Sequence, residues 1–173
     1  MDVTYRKATA GDAREWYIFL NKVWRDAYKD IFPEEVFAYQ DSRVENGRNY
    51  FVSSLLDKDD KILYVAEHEG KLVGIMWGEL YSTYGHFHDS HADLVALYID
   101  PQYQGAKIGF TLKNIFEDWA RENKAEKYII GVLKDNVKAR KVYEKWGGKF
   151  VSYESEFVRL GVGYKEVFYE FYL

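Results

Sequence analysis

The sequence predicts an α/β (α+β) protein: a mixed central sheet of about seven strands, flanked by helices on both faces. Three observations carry that expectation. Leu94-Val95-Ala96-Leu97-Tyr98-Ile99 is an apolar, β-branched and aromatic run, stopped by Asp100-Pro101 and followed by an amphipathic segment from Lys107. The same strand-then-helix step recurs at Lys127 to Leu133 and Val137 to Trp146. Strand-like pairs with short turns lie on either side, Ile62 to Glu67 with Lys71 to Leu80, and Lys149 to Val158 with Tyr164 to Tyr172.

Taken in order, Val3 to Lys7 reads as a first strand, and Thr9 can cap the helix that follows. Along Ala13 to Tyr28, Trp16, Phe19, Leu20, Val23, Trp24 and Ala27 recur at helical spacing and face a sheet. Pro33, with Glu34 and Glu35, starts a second helix, and a further helix is expected over Asn46 to Leu56. His68-Glu69-Gly70 closes the first hairpin, and Tyr81 to Ser90 is a looser loop before the central strand. After Lys107, Ile108, Leu112, Ile115, Phe116 and Trp119 form one apolar stripe. No repeat, linker or low-complexity tract interrupts the chain, so residues 1–173 are expected to form a single domain.

Composition narrows the function classes. A net charge of −4 and a pI near 5.6 argue against a nucleic-acid surface, which requires clustered Lys and Arg. No apolar run reaches membrane-spanning length, and Met1-Asp2-Val3-Thr4 lacks the regions of a secretory signal, so a cytoplasmic protein without a membrane partner is expected. With no cysteine, disulfides, thiolate chemistry and Cys-ligated zinc are excluded. His86, His88 and His91 share one loop; such spacing is loose for a metal, and a place beside an acceptor pocket is favoured over zinc. No metal is expected.

The turn Gln102-Tyr103-Gln104-Gly105-Ala106 leads into a helix start, where unpaired N–H groups and the helix dipole favour an anion. Gly105, Ala106 and Gly109 clear side-chain bulk, so a phosphate can approach the main chain. An ordinary strand-to-helix turn is the plainer reading of the same residues.

Two motifs together carry a resemblance to a known family. Gln104-Gly105-Ala106-Lys107-Ile108-Gly109 resembles the pyrophosphate turn of the GNAT superfamily of N-acetyltransferases, with Lys107 standing where the family has its central glycine. If residue 107 already has helical φ/ψ, lysine is tolerated there and its N–H still donates. The run from Asn136 to Gly147, containing Ala139, Val142, Tyr143 and Lys145, resembles the family's second element, Asn-x-x-Ala-x-x-(Phe/Tyr)-Tyr-x-(Lys/Arg)-x-Gly.

The resemblance implies a GNAT fold that moves an acetyl group from acetyl-CoA to a primary amine. Main-chain groups of Leu97, Tyr98 and Ile99 would pair with the pantetheine arm, Gln104, Gly105, Ala106, Lys107, Ile108, Gly109 and Phe110 would hold the pyrophosphate, and Asn136 would bond the pantetheine or a bridging water. Tyr143, two turns beyond Asn136, is the candidate acid for the leaving thiolate. Asp93 and Glu79 are candidate bases or amine counter-ions, and Trp24 and Tyr28 candidate walls of the acceptor pocket. The acceptor classes left open are a small cationic amine, a polyamine, an aminoglycoside-like amine and a protein amine. A non-catalytic acyl-CoA-binding module and a nucleotide binder are the rival readings, and the tyrosine-rich last strand offers a surface for a homodimer.

Overall fold

A computed structural model describes all residues, 1–173. Seven strands form one sheet in the order β1-β2-β3-β4-β5-β7-β6. They are β1 (Thr4–Lys7), β2 (Lys61–His68), β3 (Lys71–Glu79), β4 (Ala92–Ile99), β5 (Lys127–Leu133), β6 (Lys149–Arg159) and β7 (Val162–Tyr172). Every neighbouring pair is antiparallel except β4 and β5. Helices α1 (Ala13–Tyr28), α2 (Glu34–Ser42) and α3 (Val44–Tyr50) precede β2; α4 (Ile108–Glu122) and α5 (Val137–Lys145) follow β4 and β5.

The apolar stripe of α4 explains its place. Ile108, Leu112, Phe116 and Ala120 are almost fully buried against Ile62, Ala66, Met76, Leu94 and Ile130 of the sheet. Ala139, Tyr143 and Trp146 of α5 pack on the same cluster, so α4 and α5 share one face. On the opposite face α1 buries Trp16, Phe19 and Val23 against Leu63, Val65 and Ile75. Two glycines of β3 let α4 lie close: a Cβ on Gly78 would overlap the Phe116 ring, and one on Gly74 would sit 3.2 Å from Ile108 Cγ2.

The third helix departs from the sequence expectation. Regular α-helix runs only from Val44 to Tyr50, and Phe51–Leu55 forms a wider turn closed by Leu56 N–H to the Phe51 carbonyl at 2.9 Å. The wider turn brings Phe51 and Leu55 into the core, where each is at most 1% exposed.

Candidate active site at the strand split

β4 and β5 are parallel neighbours for only two residue pairs, Ala92 with Tyr128 and Asp93 with Ile129. Beyond these the strands continue to Ile99 and Leu133 without pairing. The split therefore leaves main-chain donors and acceptors of β4 free on one side. Asp100 N–H donates to the Val73 carbonyl of β3 at 3.0 Å. Because successive residues of a strand point their main-chain groups to opposite edges, Leu97 and Ile99 direct theirs into the split. The main chain of Tyr98 turns the other way, toward β3, so of the three expected residues it contributes its side chain alone.

A bulge sets which side chains face which layer. Trp77 pairs with Ala96 but Glu79 with Asp93, which places an extra residue in β4. Ala92 and Leu94 face α4 and so do Leu97 and Ile99, whereas Tyr98 packs against the α1 side. Asp93, between Ala92 and Leu94, falls on the α1 side with it.

The turn after β4 is rich in free donors. The first bond of α4 is Thr111 N–H to the Lys107 carbonyl at 2.9 Å, and the N–H groups of Gly105, Lys107, Ile108, Gly109 and Phe110 find no acceptor in the protein. Gly105, at φ +87°, has nothing within 4 Å of a built Cβ, so the main chain lies open to a ligand. Lys107 corrects the sequence expectation: it is in the left-handed region, φ 63° and ψ 7°, not in helical φ/ψ. That conformation favours glycine, and a lysine there is under backbone strain. Gln104 spans the opening, accepting from Lys138 Nζ at 2.7 Å and reaching the Ile99 carbonyl at 3.5 Å. Lys138, on the exposed start of α5, thus adds a second cation beside Lys107, and only the folded chain brings it there.

At the level of Leu97 the two helical layers meet through the gap. Tyr143 comes from the α5 side, Tyr28 and Tyr98 from the α1 side, with the last two hydroxyls 3.4 Å apart. Burial raises the pKa of each above the ordinary phenol value, the neighbouring phenols adding to it at Tyr143 and Tyr28. Asn136 caps α5, its Oδ1 accepting Ala139 N–H at 3.1 Å, which turns its amide nitrogen toward Tyr28. Trp24 and Tyr28 are each 8% exposed and pack with Phe32, Phe37 and Leu133.

The carboxylates lie deeper. Asp93 is 1% exposed and accepts from Ser82 Oγ at 2.9 Å. Burial pushes its pKa up to about 7, with the charges of Glu79 and Glu166 adding and the Ser82 hydroxyl opposing. Glu79 is held differently: Lys61 Nζ lies 2.7 Å and Trp77 Nε1 3.1 Å from its Oε1. Glu166 of β7 is a member of this group that the sequence reading missed. Its Oε2 accepts from Tyr84 Oη at 2.8 Å and Ser155 Oγ at 3.0 Å, and burial raises its pKa. It reaches across β5 because residue 131 is glycine: a Cβ there would be 3.0 Å from Glu166 Oε1 and 3.3 Å from Tyr84 Oη.

The three loop histidines do not converge. His86 stacks on Tyr153 at 4.2 Å, His88 Nδ1 meets the Ser82 carbonyl at 2.8 Å, and His91 bridges Ser90 and Glu170 at 2.7 and 2.6 Å. No group of three His, Cys, Asp or Glu residues is arranged to hold a metal ion.

A sequence profile described as Acetyltransferase (GNAT) family matches residues 20–148. The chain belongs to the GNAT acetyltransferase family. Solved structures of other GNAT proteins share its fold. The PaiA N-acetyltransferase of Thermoplasma acidophilum, solved with coenzyme A, superposes with a TM-score of 0.72 at 20% identity, covering 100% of both chains. A GCN5-related N-acetyltransferase of Rhodopseudomonas palustris gives 0.75 at 18%, covering 100% of this chain and 97% of that one. YncA of Salmonella typhimurium, a putative acetyltransferase solved with acetyl-CoA, gives 0.65 at 15%, covering 99% and 94%. No curated protein matches the sequence.

Proposed function

We propose that this GNAT protein transfers an acetyl group from acetyl-CoA to a primary amine by direct attack within a ternary complex. The observation that carries the reading is the pairing of two unsatisfied main-chain surfaces, the five acceptor-less N–H groups from Gly105 to Phe110 and the open edge of β4 at Leu97 and Ile99. The first fits a diphosphate at a helix start; the second fits an extended amide chain that adds to the sheet as a strand would. A phosphometabolite without a pantetheine arm would leave the second surface unused. The chain has no cysteine, which excludes an acyl-cysteine intermediate and accords with direct attack by the amine.

The roles follow from position. Leu97 N–H, aimed into the split, polarises the thioester carbonyl, and one preset donor of this kind is worth about 2.7–4 kcal/mol. The amine nitrogen forms a bond to the acetyl carbon, the carbon–sulfur bond breaks, and the sulfur leaves as thiolate. Tyr143 protonates it: burial keeps the phenol in its proton-bearing form, and its position at the gap rather than its acidity is what suits it to the role. Asp93 accepts the proton lost by the amine. It lies four residues before Leu97, about 13 Å along a strand, so the transfer passes through water or the hydroxyls of Ser82 and Tyr84. Its pKa of about 7 suits a base working near neutrality. Glu79, already bound to Lys61, holds the β3 end of the site in place.

Turnover of Tyr143→Phe, measured by thiol release, tests this reading. We expect kcat to fall by about 10²-fold while CoA affinity by calorimetry changes less than about threefold. Undiminished kcat removes Tyr143 from the reaction. CoA binding without turnover by the wild-type chain, across a broad amine panel, supports the non-catalytic acyl-CoA module instead.

A further inference from the structure

The acetyl-transfer reading leaves one cation without a role. Arg159 ends β6, with its guanidinium over the Phe157 ring at 3.7 Å and over Trp24 at 5.5 Å. The other seven arginines each meet a carboxylate or a phenol, whereas Arg159 donates only to the carbonyl of its neighbour Val158, at 2.8 Å. Half-buried on aromatic rings, it loses hydration with no carboxylate at ion-pair distance; burial is the larger effect and lowers its pKa from the ordinary arginine value, while the charge of Glu166 acts on it through space in the opposite sense. Trp24, the ring beneath it, carries a second donor. Its indole N–H is buried with no acceptor at full hydrogen-bond distance, the Tyr98 hydroxyl being the polar group it faces. The guanidinium donates and cannot accept, so its seat on the two aromatic rings suits an anion.

The neighbouring strand β7 brings the opposite charge to the same face of the sheet. Phe157 pairs with Tyr164, and two residues further along β6 Ser155 pairs with Glu166. A guanidinium seated over Phe157 is therefore displaced along the strand from Glu166 by about 7 Å, two residues of rise. The Oε2 of Glu166 is taken by Tyr84 and Ser155, which leaves Oε1 without a hydrogen bond from the protein. A cationic nitrogen set against Glu166 meets its carboxylate, and a carboxylate a few bonds away along the same face meets Arg159 as a planar fork.

From this arrangement we propose that the acceptor is an amine carrying its own carboxylate, an amino acid, with the carboxylate on Arg159 and the amine turned toward Glu166 and the split. The proposal rests on the acetyltransferase reading for its chemistry and adds the class of acceptor. It also gives Trp24, expected from the sequence to wall the pocket, a definite neighbour.

Acetyl transfer is to be followed with the twenty amino acids, β-alanine and 4-aminobutyrate, and then with the amides and the decarboxylated amines of the three best acceptors. We expect the free acids to exceed their amides and amines in kcat/KM by tenfold or more, mostly through KM. In Arg159→Gln the acid-to-amide ratio falls toward one, and in Arg159→Lys it is intermediate, with melting curves confirming that both variants fold. Amines lacking a carboxylate that are acetylated as well as the acids overturn the proposal and leave the acetyltransferase reading standing. Should no acceptor turn over, calorimetry of the N-acetyl amino acids and their amides in the presence of CoA decides. Binding that weakens tenfold on amidation, and loses that preference in Arg159→Gln, supports the anion site and counts against catalysis alone. Binding indifferent to the carboxylate, or none, overturns it.

Discussion

At residue 107 the chain keeps a lysine in the conformation that glycine adopts without strain. Lys107→Gly relieves a left-handed strain of about 1–2 kcal/mol, partly offset by the greater freedom of an unfolded glycine, so a net gain of up to about 1 kcal/mol is expected in urea unfolding. Lys107→Ile, β-branched at the same φ, is expected to lose about 1–2 kcal/mol. A gain from isoleucine would contradict the strain. Asp93 presents a different cost. Its folded pKa lies above the ordinary aspartate value, so the stability it contributes is complete below about pH 4 and is lost as pH rises through about 7. Asp93→Asn is therefore expected to be more stable than the parent at pH 8, by on the order of 4 kcal/mol, with the difference vanishing in acid. The same variant is expected to lose about 10²-fold in kcat/KM, together with the rise in the pH–rate profile near pH 7. A profile unchanged in shape would take Asp93 out of the proton path. Both positions were visible in the sequence as motif members or strand-end acids. Their φ and their burial were not, because a backbone angle and a desolvated carboxylate arise from what packs around them. Arg159 and Glu166 were harder still. Glu166 reads as one polar residue in an alternating strand and Arg159 as the residue just beyond the end of one, and alternation alone does not say which face of β6 or β7 is turned inward.

Among the elements, α4 depends on the sheet having no side chains beneath it at Gly78. Gly78→Ala drives a methyl into the Phe116 ring, and a loss of about 1–3 kcal/mol in urea unfolding is expected, with the midpoint rather than the slope changing. A neutral result would mean that α4 can slide on the sheet. The helices and strands were largely legible because their apolar periods are strong, most clearly in α1, α4 and the β2–β3 hairpin. The break in α3 was not: a turn closed at five residues and one closed at four bury similar apolar positions, so Phe51 and Leu55 fit an unbroken helix equally well. The bulge in β4 was hidden for a related reason. A run as apolar as Leu94 to Ile99 has no polar alternation in which a slipped residue would show.

At the scale of the whole molecule, three helices cover one face, two cover the other, and the sheet between them parts where β4 and β5 stop pairing. That opening lets phenols from opposite layers approach the same point, and it leaves an edge of β4 that a ligand can complete. Amide hydrogen exchange of the full chain, with and without CoA, tests this most directly. Added CoA is expected to slow exchange at Leu97 and Ile99 on β4 and at Gly105 and Lys107 to Phe110, by tenfold or more at saturation, while Tyr98, already turned to β3, changes little. Unchanged exchange at Leu97 and Ile99 in a saturated complex would contradict the claim that the split receives the cofactor as a strand.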